Sequence, residues 1–163
     1  MNIAEIIIKM IDYSHGNLHD INHFLKVYAY AKTIGESENL DTKTQEQLEV
    51  AAIIHDIACP LCREKYGNTN GKYQEKEGRI LAEQFLSETG CSDEFMKRIA
   101  YLVGHHHTLD QIEGMDYQIL IEADYLVNAD ESSYSEPNMQ NMLEHVFKTA
   151  TGISLLKSIY RIS

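Results

Sequence analysis

Ala51-Ala52-Ile53-Ile54-His55-Asp56 is an apolar run that ends in two adjacent residues able to ligate a metal. Leu48, Ala51, Ala52 and His55 stand at i, i+3, i+4 and i+7, so the imidazole points where the apolar face of a helix points. Asp56 continues the neighbouring row through Ala52 and Ile53. An aspartate on a core-facing row must be paired, hydrogen-bonded or metal-bound, because an uncompensated buried charge is costly. A His-Asp pair alone is common. Its meaning rests on further ligands placed on other apolar faces.

Helical periodicity recurs on both sides of this stretch, while proline (two residues) and alternating Val/Thr-rich runs are scarce. The pattern predicts an all-α bundle of about six to eight helices. A first helix runs from about Ile3 to Asp12, with Ile3, Ile7 and Met10 or Ile11 inward. A second, from about Asp20 to Ser37, turns His23, Val27, Tyr30 and Ile34 inward, with Phe24 and Ala31 beside them. The third carries Leu48 to Asp56, capped by Asp41 or Thr42. Cys59 to Lys72 reads as the longest irregular stretch, rich in turn residues. A fourth helix spans about Gln74 to Glu88, with Ile80, Leu81, Phe85 and Leu86 inward. A fifth packs Phe95, Ile99, Leu102 and Val103 and runs into His105-His106-His107. A sixth spans about Tyr117 to Asn128 and places Asp124 on an apolar row with Leu120 and Val127. A polar loop follows from Asp130 to Asn138, then one or two helices between Met139 and Tyr160, broken near Gly152.

The length of 163 residues suits one domain, with residues 18–130 as its core and the C-terminal helices, 139–160, either completing that core or forming a dimer face. A hydrophobic content of 44% with 24% charged residues argues against disorder. The net charge of −11 speaks against a nucleic-acid polymer or an anionic membrane as surface partner. Glu5, Lys9 and Asp12 interrupt the apolar N-terminal residues, which therefore do not read as a signal peptide, and three cysteines fit a reducing compartment. A cytoplasmic location is expected. Cys59-Pro60-Leu61-Cys62 has no second C-x-x-C and no α/β context, so it reads as two ordinary cysteines.

His23, His55, Asp56 and Asp124 share one property, a place on core-facing rows of three helices. Two imidazoles and two carboxylates make a nitrogen/oxygen site for one divalent ion such as Mn, Fe, Mg, Ni, Co or Zn. Helix bundles build such sites from facing helices.

On these residues the sequence resembles the HD-domain metal-dependent phosphohydrolases, whose pattern is H…HD…D. It reads here as Ile21-Asn22-His23, Ala51-Ala52-Ile53-Ile54-His55-Asp56-Ile57 and Ile121-Glu122-Ala123-Asp124, over about Leu18 to Asp130. The resemblance implies hydrolysis of a phosphate ester of a nucleotide or related small metabolite. Alternatives are a phosphodiesterase acting on a cyclic or dinucleotide, and a non-catalytic module that binds metal and nucleotide. Two-metal members add a histidine after the His-Asp pair. No histidine lies between Asp56 and His105, and Gln74 stands where one is expected, which favours one metal. Some members carry a glutamate just after the pair, where Ile57, Ala58 and Cys59 stand here. The acid/base role then passes to Asp56 itself, Glu64, Glu75 or Glu77, with Glu77 the leading candidate because Glu77-Gly78 precedes an apolar helical row. Cations for phosphate binding are Lys26, one turn after His23, and Arg63, Lys65 and Lys72; His105 or His106 follows Leu102 onto the inner face and can contact substrate.

Overall fold

The computed structural model describes residues 2–163. Its described residues form nine helices and no strand: α1 (Ile3–Tyr13), α2 (Leu18–Ser37), α3 (Thr42–Ile54), α4 (Cys59–Tyr66), α5 (Gly71–Ser87), α6 (Asp93–Val103), α7 (Met115–Glu131), α8 (Glu136–His145) and α9 (Ala150–Tyr160). No helix is long and apolar enough to cross a membrane among the described residues.

Helices α2, α3 and α7 pack on one another and make the centre. Helices α1 and α6 cover α3, α5 lies on α6, α4 on α5, and α9 sits against α7 and α2. The central helices are buried beyond a single stripe. Every residue from Gln47 to Ile54 in α3, and from Asp116 to Val127 in α7, is buried. A helix enclosed on all sides shows no amphipathic pattern. Helix α2 keeps one, with His23, Phe24, Val27, Ala31 and Ile34 inside. Asp41 and Ser92 cap α3 and α6 by accepting from Thr44 N at 3.0 Å and Phe95 N at 3.3 Å. Such caps contribute about 1 kcal/mol each.

Several boundaries depart from the sequence reading. The stretch expected to be irregular after Cys59 is largely α4. Pro60 lies in its first turn, where a missing N–H has no intrahelical partner to lose, and Gly67 ends it at φ 70°. Helix α5 starts at Gly71, and Ile80, expected inside, is 55% exposed. Gly78 lies against Val103 of α6, where a Cβ would come within 3.0 Å of the valine Cγ1. Ile80 is about 200° further round and faces water. In α1 the buried pair is Ile6 and Met10, while Ile11 is exposed. The expected loop from Asp130 is the last turn of α7, a short link and the start of α8, which Ser135 caps. The C-terminal break falls at residues 146–149. Gly152 lies inside α9.

Candidate metal centre

Because α2, α3 and α7 are mutually packed, one inward residue from each meets at their common junction. His23 comes from α2 and Asp124 from α7. His55 caps the C-terminus of α3, and Asp56 sits in the turn that follows. His23 Nε2 lies 3.2 Å from His55 Nε2, 3.1 Å from Asp124 Oδ1 and 3.3 Å from Asp56 Oδ2. His55 Nε2 lies 3.5 Å from Asp56 Oδ2 and 3.4 Å from Asp124 Oδ1.

The outer nitrogens decide what the inner ones can do. His23 Nδ1 donates to Glu131 Oε2 at 2.7 Å, and His55 Nδ1 donates to the Ala52 carbonyl at 2.8 Å. With the proton on Nδ1, each neutral ring presents a bare Nε2 lone pair to the centre. Two lone pairs and two carboxylate oxygens then converge, and among the described residues neither carboxylate pairs with a lysine or arginine. Such a set repels itself unless a cation or protons stand between its members. The residues fit a divalent ion, with Glu131 and the Ala52 carbonyl orienting the rings from behind. Lys26 Nζ in turn holds the other Glu131 oxygen at 2.7 Å. Glu131→Gln is expected to weaken divalent-ion affinity by roughly 10–100-fold without removing the site, as isothermal titration with Mn or Zn would measure.

A family model described as the HD domain matches residues 20–148. The chain belongs to the HD-domain family. Its fold is shared with a solved structure described as a predicted HD superfamily hydrolase from an uncultured Thermotogales bacterium. The TM-score is 0.70 at 20% identity, over 97% of this chain and 84% of that one. Comparison with curated proteins finds no match. Membership supports metal-dependent hydrolysis as the general chemistry of this HD domain, and its His/Asp cluster is able to hold the ion.

In the metal-free HD domain the same donors share protons. Burial opposes charge on the His23 ring, but Asp124, Asp56 and Glu131 outweigh it and push its pKa up to about 9. Burial also opposes charge on Asp56 and Asp124, yet the facing imidazoles hold both carboxyls well below the usual range. His23 thus titrates above the roughly 6.5 of an unfolded histidine, so its stabilisation is complete below that pH. It is lost as pH climbs through about 9. The carboxyls titrate below their unfolded value of roughly 4, so theirs is complete above that pH and lost as pH falls. Thermal melts of the metal-free protein are expected to fall from pH 6.5 towards 9, and that decline should be weaker in His23→Gln. An equal decline in both proteins would contradict this arrangement.

In the His-rich segment after α6, of the two histidines expected to follow Leu102 onto the inner face, His106 reaches the centre and His105 does not. His105 turns away, donating Nδ1 to the Tyr101 carbonyl at 2.7 Å and stacking on that ring. His106 is buried. It donates Nδ1 to the Val103 carbonyl, and its Nε2, with no hydrogen-bond partner, faces Asp56 Oδ1 at 3.3 Å. His107 lies at the opening beside it. It is exposed there, and partial desolvation with the neighbouring His106 lowers its pKa. Glu75, a candidate acid/base, instead clamps this segment by accepting from His107 N at 3.0 Å and Thr108 Oγ1 at 2.9 Å.

Other expected residues lie elsewhere. Glu77, the leading acid/base candidate, accepts from Lys65 Nζ at 2.7 Å and the Tyr66 hydroxyl at 2.5 Å, and does not border the opening. The helical row that brings Gln74 and Gly78 inward points Glu77 at α4 instead. Glu64 is exposed. Lys72 is exposed over the Tyr73 ring, because α5 already begins at Gly71 and turns it outward. Lys26 stands behind the centre on Glu131. Arg63 does border the opening, its guanidinium held by Asp20 at 2.6 and 2.8 Å. Glu131 itself escaped the sequence reading. It lies at i+7 from Asp124 on one face of α7, less than one turn beyond the helix end expected at Asn128.

Proposed function

We propose that this HD domain is a phosphohydrolase, cleaving a phosphate ester of a nucleotide or a related small metabolite with one divalent ion. The observation that carries this reading is the convergence of His23, His55, Asp56 and Asp124 at the base of an opening of about 200 Å³. The bound ion would supply a water of lowered pKa and a Lewis-acid pull on a phosphoryl oxygen. Arg63 borders the same opening. Its guanidinium has five N–H donors and gives two to Asp20, which leaves others for phosphate oxygens. Asp56 and His106 face each other across 3.3 Å and can hold between them the proton released from the attacking water. That pair replaces Glu77 as the acid/base.

The test is metal content of the purified protein, then phosphate release from nucleotides and small phosphate esters with each divalent ion added. About one ion per chain and release from a monoester supports the reading. Bound metal with no release from any ester favours a binding module instead.

A second reading, a two-ion phosphodiesterase for a cyclic or dinucleotide, draws on one further observation. Donor atoms of Asp56, His106 and His107 lie within 4.8 Å of one another. Gln74 is nearby, with Nε2 committed to the Thr69 carbonyl at 2.7 Å and Oε1 unpartnered. Two ions per chain and cleavage of a diester would select this reading.

A further inference from the structure

The opening with Arg63 occupies one side of the centre. Adjoining it, Asp124, Asn128, His106 and His107 border a second cavity of about 250 Å³. Its far wall is apolar and aromatic, from Leu109, Ile121, Tyr134 and Met142, and among the described residues no lysine or arginine lines it. A second phosphate has no counter-charge there, whereas an uncharged group would replace water against apolar surface.

Two amides in this cavity have orientations set by internal hydrogen bonds. Asn128 Nδ2 donates to Asp124 Oδ1 at 2.9 Å, which leaves Asn128 Oδ1 as an acceptor. The Tyr125 hydroxyl donates to Asn138 Oδ1, which leaves the Asn138 NH₂ as a donor. Tyr134 is 37% exposed, and its ring lies 5.5 Å from that of Tyr125 at 33°. The cavity therefore offers an aromatic face, one donor and one acceptor. Its volume is below the roughly 300–1,000 Å³ of pockets for drug-sized ligands.

We propose that this cavity binds the uncharged heteroaromatic ring of the substrate, a single nucleobase, while its phosphate lies at the metal centre. The two cavities share Asp124, Asn128 and His107, so one molecule can span both. A flat ring fits Tyr134 by stacking, and a base edge carries the donor and acceptor that Asn128 and Asn138 complement. The assignment rests on the phosphohydrolase reading for the fate of the phosphate, but ring binding is measurable without turnover.

The experiment has two arms on the full chain. In the first, adenosine, guanosine, cytidine and uridine are titrated into wild type, Tyr134→Ala and Asn138→Leu and followed by NMR. In the second, release from the four nucleoside monophosphates is compared with release from glycerol phosphate. Binding of at least one nucleoside, weakened about tenfold by Tyr134→Ala, is expected from loss of a stacking face. Preference for a nucleoside monophosphate, lost in the variants through KM, is the matching kinetic result. Met142→Trp, which fills the cavity without removing a polar group, should block the ring in the same way. Release from glycerol phosphate equal to that from the nucleotides, with no nucleoside bound, overturns the ring site and leaves the hydrolase reading intact. Nucleoside binding with no release from any ester supports the ring site and overturns the hydrolase reading. Neither binding nor release overturns both.

Discussion

Asp124→Ala is expected to yield a folded protein that holds no divalent ion and releases no measurable phosphate. Asp124 is buried, and its Oδ1 lies 3.1 Å from His23 Nε2 and 3.4 Å from His55 Nε2. It is also the only one of the four donors that α7 contributes. Without it the remaining three come from α2 and the α3–α4 turn and leave one side of the centre open. Loss of an orienting partner costs roughly 10–100-fold in metal affinity or activity, and loss of a ligand should exceed that. The fold should survive. The α2–α3–α7 junction rests on apolar contacts, and the His23 ring that loses Asp124 keeps Asp56 at 3.3 Å and Glu131 at 2.7 Å as partners. Far-UV circular dichroism, metal analysis and phosphate release together make the check. One ion per chain with unchanged release would sink the centre as described.

Glu122→Ala is expected to cost far more stability than Asp124→Ala. Two residues earlier on α7, Glu122 faces away from the centre and is fully buried. Its Oε1 accepts from Gln118 Nε2 at 2.7 Å, Lys148 N at 2.7 Å and Thr149 N at 3.0 Å, and its Oε2 from the Thr149 hydroxyl. This carboxylate satisfies the backbone where the chain turns into α9. Each donor left unpaired costs about 1–3 kcal/mol, so the total approaches the 5–15 kcal/mol that holds a domain folded. Gly152→Ala strikes the same point. A Cβ there would overlap Glu122 Oε2 and come within 2.7 Å of Thr149 Oγ1. Thermal melts should show both variants well below wild type, with α9 lost first. A Glu122→Ala melt within a few degrees of wild type would mean that water replaces the carboxylate.

These two residues mark how far the chain could be read without its fold. His23, His55, Asp56 and Asp124 are legible because each is a metal-ligating group among apolar helical neighbours and together they follow the H…HD…D pattern. Glu122, two residues from Asp124, is not. Apart from Gln118 one turn earlier, its partners are groups 26 and 27 residues away, and no local pattern announces them. The helical class, the inner faces of α2 and α6 and the four converging donors are thus determined by sequence, because helix period and hydrophobic burial act within a turn or two. Which of His105, His106 and His107 reaches the centre was decided by tertiary structure, as was the withdrawal of Glu77 and Lys26 to partners outside it. Those choices depend on how α5, α6 and α7 lean on one another and on which distant groups arrive to share each proton or charge.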